Sequence, residues 1–281
     1  MTTLTVLHPG AMGAAVATQA SRPGHHVLWV PADRSPATQA RAQKAGLTAC
    51  PSLAEALDAS EVVLSLCPPQ AAEDVAVSVA RHGFTGLYVE ANAISPERME
   101  RIANEVRPGS SILDGAVIGP PPGDRRTCRL YLAGDGEAVD LLRSVFQGSL
   151  VQVEAAGDRV GAASVLKMSF AAFQKAARTL AAVSHALADS HQVADLLTAE
   201  AQRMPSDFLS NPGALAGVAA RAWRWAPEMH EISETLRASG LPPQMAEAAA
   251  AVLRRWEQDK DRYDLPLPEV LTHLRDGDHA R

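Results

Sequence analysis

The chain is poor in several residue types, and each shortage closes a class of function. Aromatic side chains make up 4% of its 281 residues, and there are three cysteines, Cys50, Cys67 and Cys128. An odd number of widely spaced cysteines supports neither a disulfide framework nor a metal-ligand spacing, so these are read as reduced, structural thiols. No metal site is expected. There is no basic block, and the net charge is −6, which argues against nucleic acid as a partner. No apolar run approaches membrane-spanning length, and no charged leader precedes an apolar stretch at the N-terminus. A soluble, cytoplasmic chain acting on a small molecule is the expectation.

What is present is a change of pattern partway along. The first half alternates short apolar runs with amphipathic stretches. Strands are expected at Thr5–Leu7, His26–Val30, Glu61–Leu66, Gly86–Glu90, Ser111–Ala116, Arg129–Ala133 and Leu150–Glu154. Helices are expected near Ala11–Gln19, Pro36–Ala45, Leu53–Leu57, Gln70–Arg81, Pro96–Val106 and Glu137–Phe146. Ser52-Leu53-Ala54-Glu55 has the form of a capping box, and Ser95-Pro96 puts proline at a first helical position. Val62-Val63-Leu64-Ser65-Leu66 is apolar on both faces, as a central parallel strand must be. This alternation predicts an α/β fold with a doubly wound, mostly parallel sheet.

From Gly157 the chain is Ala-rich and shows no strand pattern. The expected division is a Rossmann-type domain over 1–156 and an all-helical substrate and dimerisation domain over 157–281. Val160 to Ser190 contains no proline and one early glycine, enough for a helix of roughly 45 Å at 1.5 Å per residue. A helix of that length has more apolar surface than a small neighbour covers, so it is expected to join the domains and to pack in a homodimer. Shorter helices are expected near Ala194–Ala201, Ala214–Trp225, Met229–Ser239 and Pro243–Lys260, with a polar, partly mobile tail after Pro268.

The strongest local signal is the first strand, Thr5-Val6-Leu7, running into His8-Pro9-Gly10-Ala11-Met12-Gly13 and a small-residue helix. In a dinucleotide-binding turn, a glycine at Gly10 lets the backbone approach a pyrophosphate, and one at Gly13 lets helix and strand pack closely. The helix N-terminus supplies N–H groups for the phosphates. His8 stands where such a turn usually has its first glycine, which predicts a wide or displaced turn. At the end of the second strand, Asp33 suits the ribose hydroxyl of NAD, whereas Arg34 and Ser35 suit the 2′-phosphate of NADP. Two phosphate donors beside one acid favour NADPH.

These residues stand in an ordered series that resembles the β-hydroxyacid dehydrogenase superfamily, which includes 6-phosphogluconate and 3-hydroxyisobutyrate dehydrogenases and the imine reductases. Gly10-Ala11-Met12-Gly13 is similar to the family's G-x-M-G turn. Cys67-Pro68-Pro69 resembles the loop along the cofactor, and Asn92-Ala93-Ile94-Ser95-Pro96 the segment beside the nicotinamide. Asp114-Gly115-Ala116-Val117-Ile118-Gly119 resembles the D-A-P-V-S-G substrate motif. Gly161 through Lys167 resembles the G-x-G-x-x-x-K motif, whose lysine is the catalytic acid/base. The resemblance implies a nicotinamide-dependent oxidoreductase acting on a C=O or C=N group, with Lys167 as general acid/base. It also implies cofactor contacts from Cys67, Pro68 and Asn92.

Departures concern the substrate. Ile118-Gly119-Pro120 replaces Ser-Gly-Gly, Ala163 replaces a glycine, and Ala171 stands where the family has asparagine. The missing polar contacts point to a less polar substrate than a small hydroxyacid. Ser95, Ile118, Gly119, Pro120, Ala171, Gln174, Trp223 and Met229 are the candidate substrate residues. Gln174 is chosen for its i+7 spacing from Lys167, and Trp223 and Met229 as candidate walls of an apolar pocket. A plainer reading accompanies several of them: Ser95 as a helix cap, Trp223 and Met229 as core, and Lys167 as a solvated helix lysine. The competing functional reading is a non-catalytic NAD(P)-binding sensor or scaffold. A methyltransferase, which also has a glycine turn after its first strand, is disfavoured by the order of the later motifs.

Overall fold

A computed structural model of the chain describes residues 1–204 and 211–276. It divides into two compact units, Met1–Lys167 and Met168–Arg281, parting inside a long helix rather than after residue 156.

The first unit is built on an eight-stranded sheet. Its strands are β1 (Thr3–Leu7), β2 (His26–Trp29), β3 (Thr48–Ala49), β4 (Val62–Ser65), β5 (Leu87–Glu90), β6 (Ser111–Ile118), β7 (Cys128–Gly134) and β8 (Val151–Gly157). The spatial order is β3-β2-β1-β4-β5-β6-β7-β8. All neighbours are parallel except β6 and β7, which pair antiparallel from Leu113↔Gly134 to Ile118↔Arg129. The first six strands have the doubly wound dinucleotide-fold order, whose direction reverses between β1 and β4 and opens a crevice at their carboxyl ends. β3, two exposed edge residues, is the one strand of the sheet not expected.

The helices of this unit are α1 (Ala11–Ser21), α2 (Pro36–Lys44), α3 (Leu53–Asp58), α4 (Ala72–Arg81), α5 (Pro96–Val106) and α6 (Gly136–Val145). Local chemistry starts several of them. Ser52 Oγ accepts from the Glu55 amide at 3.2 Å and donates to the Glu55 carboxylate at 3.0 Å, forming the expected capping box. Ser35 and Ser95 each cap a helix whose first residue is proline. Alternate strand residues divide into two cores. Leu4, Val6, Val62, Leu64 and Val89 pack on one side of the sheet, and Leu7, Val63, Tyr88 and Ile112 on the other. β4 is buried at every position, as its unbroken apolar run requires.

Helix α7 (Ala162–Ser190) begins in the first unit and continues into the second, whose further helices are α8 (Ala194–Ala201), α9 (Leu215–Ala219), α10 (Ala222–Ala238), α11 (Gln244–Arg254) and α12 (Leu267–Asp276). Two expectations are corrected here. Separate helices were expected around Pro227, but α10 runs through it. Pro227 lies inside the helix, where it lacks an N–H for the Trp223 carbonyl and its ring crowds that carbonyl, and the helix continues through it with Ala226, Met229 and Ile232 buried. The segment after Pro268 forms most of α12 instead of a loose tail, because Val270, Leu271 and Leu274 bury one face. Pro205, a helix-breaking residue between the expected helices near Ala194–Ala201 and Ala214–Trp225, lies outside the described residues. Trp256, fully buried, anchors this unit and donates its indole N–H to the Val270 carbonyl at 2.8 Å. Among the described residues, no helix is long and apolar enough to cross a membrane.

Candidate functional site: the carboxyl edge of the first sheet

The turn after β1 is tighter than a simple loop. His8 adopts φ 65°, and its carbonyl accepts from the Gly10 amide at 2.7 Å across Pro9. Gly10 then opens α1 in an extended conformation with no side-chain cap, leaving the first amides of the helix without a side-chain acceptor. A Cβ on Gly13 would sit 2.8 Å from the His8 carbonyl oxygen and 3.5 Å from Leu66 Cβ, so only glycine lets the helix approach this closely. The anomalous histidine is thus accommodated by a left-handed residue where glycine is usual, as a strained rather than widened turn. Ala11 is exposed at the mouth, and Met12 packs partly on the core.

Around this turn the structure brings several distant segments together. At the end of β2, Asp33 is exposed with φ 57°, and the half-buried Arg34 acts electrostatically on His8. Ser35 is chiefly the α2 cap, accepting from the Thr38 amide at 3.3 Å. After β4, Pro68 is exposed and Cys67 half-buried. After β5, Asn92 is buried. Its Nδ2 donates to Ser65 Oγ at 3.0 Å and to Cys67 Sγ at 3.3 Å, joining the two loops.

Beneath Asn92 lies a residue the motifs did not flag. Glu90 is fully buried, accepts the Asn92 amide at 3.0 Å and the Tyr88 hydroxyl at 3.1 Å, and is pushed up to about 7 by burial, against the pull of those hydrogen bonds. The available signal was a lone acid closing an apolar strand, Leu87-Tyr88-Val89-Glu90. The same burial, with Glu90 nearby, raises the Cys67 thiol to about 12, which keeps it protonated and inert at neutral pH.

The later motifs join in turn. Asp114, buried on β6, accepts from the amides of Gly161 and Ser164, both at 2.9 Å, and from Ser164 Oγ at 2.7 Å. A carboxylate so placed satisfies orphan donors at the start of α7 and suits its positive end. Desolvation still raises the Asp114 pKa, with these hydrogen bonds opposing it. One turn beyond Ser164, half-buried Lys167 donates from Nζ to the Val117 carbonyl at 2.9 Å. Lys167 is therefore directed to the end of β6, just before buried Ile118 and exposed Gly119 and Pro120. Gly119 has φ 126° and lies against Cys128, a position where an added Cβ would be both strained and crowded. On the other side, a Cβ on Gly161 would lie 3.8 Å from Pro96. Ser95 is buried and caps α5 through the Arg98 amide at 3.3 Å, as its plainer reading held.

The remaining candidates lie in the second unit. Ala171 is buried, and Gln174 is taken up by Arg178, whose guanidinium donates to the Gln174 side chain. Trp223 is partly exposed under Lys260 Nζ, 4.0 Å from the ring centre. Met229 is fully buried, as a core residue. Trp223 and Met229 thus differ in exposure. A separate cavity of about 380 Å³ beside α5, lined by Glu100, Asn104, Arg107 and Arg159 among others, contains none of the expected site residues.

The geometry can be tested for a dinucleotide without assuming one. Among the described residues, His8 Nδ1, Arg34 Nε and Asn92 Oδ1 are buried polar atoms on this edge without a partner. Buried polar groups are ordinarily satisfied. Orphans beside an uncapped helix N-terminus and a glycine that cannot accept a Cβ fit a polar, phosphate-bearing group in the crevice.

A Rossmann sheet with this edge, followed by a helical unit, is the fold that NAD(P)-dependent dehydrogenases and reductases share. Residues 3–89 match the family model described as NADP oxidoreductase, coenzyme F420-dependent, and residues 188–256 match a domain of unknown function, DUF1932. The fold is that of 3-hydroxyisobutyrate dehydrogenase from Mycobacterium tuberculosis, solved with L-serine. That likeness has 19% identity, covers 98% of this chain and 99% of that one, and has a TM-score of 0.74. An imine reductase from Streptomyces aurantiacus is similar at 21% identity, with 96% and 98% covered and a TM-score of 0.58. A conserved hypothetical protein from Sinorhizobium meliloti is similar at 23% identity, with 99% and 97% covered and a TM-score of 0.69. No curated protein matches. The likeness to these solved structures shows the fold expected from the motifs, and those with a named activity are hydroxyacid dehydrogenases and imine reductases.

Proposed function

We propose that the chain is an NADPH-dependent oxidoreductase that transfers hydride to or from a C=O or C=N group of a small molecule, with Lys167 as general acid/base. The observation that carries this reading is the joining of the 114–119 and 161–167 segments, which directs Lys167 Nζ to the end of β6. The nicotinamide, when bound, supplies or accepts the hydride. The chain's own part is to hold and to move the proton. In the reducing direction the Lys167 ammonium gives a proton to the oxygen or nitrogen of the substrate, and in the oxidising direction the amine removes it. Asp114 holds the start of α7 against β6, and the Val117 carbonyl fixes the direction of the lysine.

Gly10, Ala11, Met12 and Gly13 would hold the pyrophosphate, Arg34 with Asp33 and Ser35 the adenosine ribose and its phosphate, and Cys67, Pro68 and Asn92 the nicotinamide side. Among the described residues Arg34 makes no ion pair, which favours the phosphorylated cofactor. The apolar Ile118-Gly119-Pro120 segment favours a substrate without a carboxylate at that point. α7 leaves Phe170, Phe173 and Leu180 at 44%, 62% and 58% exposure, which favours a homodimer through this helix. A cytoplasmic location accords with the composition.

Titration with NADPH and NADH by fluorescence, then turnover on ketones, imines and hydroxyacids, tests the reading. Lys167→Ala should lower turnover by about a hundredfold or more, the scale of a lost acid/base, while dinucleotide affinity stays as it was. Retained turnover in that variant removes the acid/base assignment.

A further inference from the structure

We propose that His8, the residue that departs from the glycine turn, reads phosphate: with Arg34 it forms the pair that takes the 2′-phosphate of the dinucleotide, and it takes up a proton as that phosphate binds. This rests on the dinucleotide reading above.

Four observations converge on it. His8 occupies the left-handed region at φ 65°, where glycine would be unstrained, so the side chain is retained against the preference of the turn. Its Nδ1 is buried with no partner. Arg34 Nε is also buried with no partner, and the Arg34 guanidinium forms no ion pair with any acid among the described residues. Finally, β1 and β2 are neighbouring parallel strands, so His8 and Arg34 follow them at the same edge of the sheet, where the Arg34 charge acts on the imidazole. Two groups able to carry positive charge, adjacent and without an acceptor, constitute an anion site from which the anion's own oxygens are the missing partners.

The proton follows from the same arrangement. Burial first, and then Arg34, lower the His8 pKa to about 4, so the ring is neutral at neutral pH. A phosphate set against both residues reverses each cause, since it screens Arg34 and favours the imidazolium. The other ionisable groups of the neighbouring segments are Asp33, exposed beside Arg34, and Cys67 after β4. Helix α1 carries none. Arg34 is the charged group that acts on His8. The 2′-phosphate is favoured over the pyrophosphate because Arg34 stands at the end of β2, where the adenosine ribose belongs, whereas the pyrophosphate has the amides of α1.

Calorimetric titration of the full chain with NADP⁺ and NAD⁺ at pH 6.5, 7.2 and 8, each in two buffers of different ionisation enthalpy, tests this. His8→Gly is a variant the turn geometry prefers, and His8→Asn tolerates the left-handed region but cannot titrate. At pH 6.5 the wild type should take up more protons per NADP⁺ than either variant, by an amount approaching one. His8→Gly should bind NADP⁺ about tenfold more weakly, as for a lost hydrogen bond to a charged group, with NAD⁺ affinity unchanged. Equal proton counts and affinities in wild type and His8→Gly overturn the proposal while leaving the dinucleotide reading in place. An equal loss with NAD⁺ assigns His8 to the pyrophosphate and overturns the 2′-phosphate assignment. A wild type that binds neither nucleotide overturns both readings together.

Discussion

The two units treat their buried polar groups in opposite ways. In the first, the carboxyl edge of the sheet leaves His8 Nδ1, Arg34 Nε and Asn92 Oδ1 without partners among the described residues, and it holds a carboxyl, Glu90, whose pKa burial raises to about 7. In the second, polar groups find partners inside the unit. Lys175 pairs with Glu228, and Asp259, fully buried, accepts from His273 at 2.8 Å and lies 3.5 Å from Arg262. Thr179 Oγ1 is the orphan there among the described residues. Polar groups left unsatisfied at one edge, in a unit otherwise well packed, mark where a ligand completes the structure. A unit that satisfies its own groups owes its stability to itself.

The largest effect that sharpens this contrast is expected in the self-satisfied unit. Trp256→Ala removes a fully buried ring and strands the Val270 carbonyl, and should cost about 3–5 kcal/mol in urea unfolding. NADP⁺ should not restore the loss beyond the stabilisation it gives the wild type. A large, specific rescue by nucleotide would show that the two units are not divided in this way.

Next in size is Gly13→Ala. The new Cβ would stand 2.8 Å from the His8 carbonyl oxygen, a backbone atom held by the Gly10 amide. Overpacking of this kind costs about 1–3 kcal/mol. Here the loss of dinucleotide affinity should exceed what the loss of stability explains, because the turn itself must move. Wild-type affinity in a folded Gly13→Ala protein would show that the turn does not hold the ligand.

The same contrast explains what was legible in the sequence. Strands and helices of the first unit were readable because each is a local pattern: the apolar run of β4, the Ser52–Glu55 box, Ser95 before Pro96. The motifs were readable for the same reason, and the hydrogen bonds from Asp114 to Gly161 and Ser164 show why two strings some fifty residues apart work together. Lateral relations were not readable. Glu90 matters through Tyr88 and Asn92 and, by way of Asn92, through Ser65 at the end of the neighbouring strand and Cys67 just after it, a register that no local spacing reveals. In the second unit, proline was given too much weight at Pro227 and burial too little in α12, since a helix there depends on a face being covered rather than on its own propensity.

Glu90 gives the most selective test, because its effect changes with pH. Its pKa is raised to about 7 in the folded chain, above the ordinary glutamate value of 4.5. Between those values the folded state binds more protons than the unfolded state, so stability falls as pH rises through this window and stays lower above it. Glu90→Gln keeps an acceptor for the Asn92 amide but cannot ionise. Relative to wild type it should gain stability as pH rises from 5 to 8, by at most on the order of 3 kcal/mol for a shift of this size. Urea unfolding at the two pH values measures the change. A difference that is the same at both would mean that the buried carboxyl does not titrate in this window. A difference that grows as expected would show that the first unit keeps an unfavourable carboxyl beneath Asn92 at neutral pH, a cost tied to the candidate site rather than to the fold as a whole.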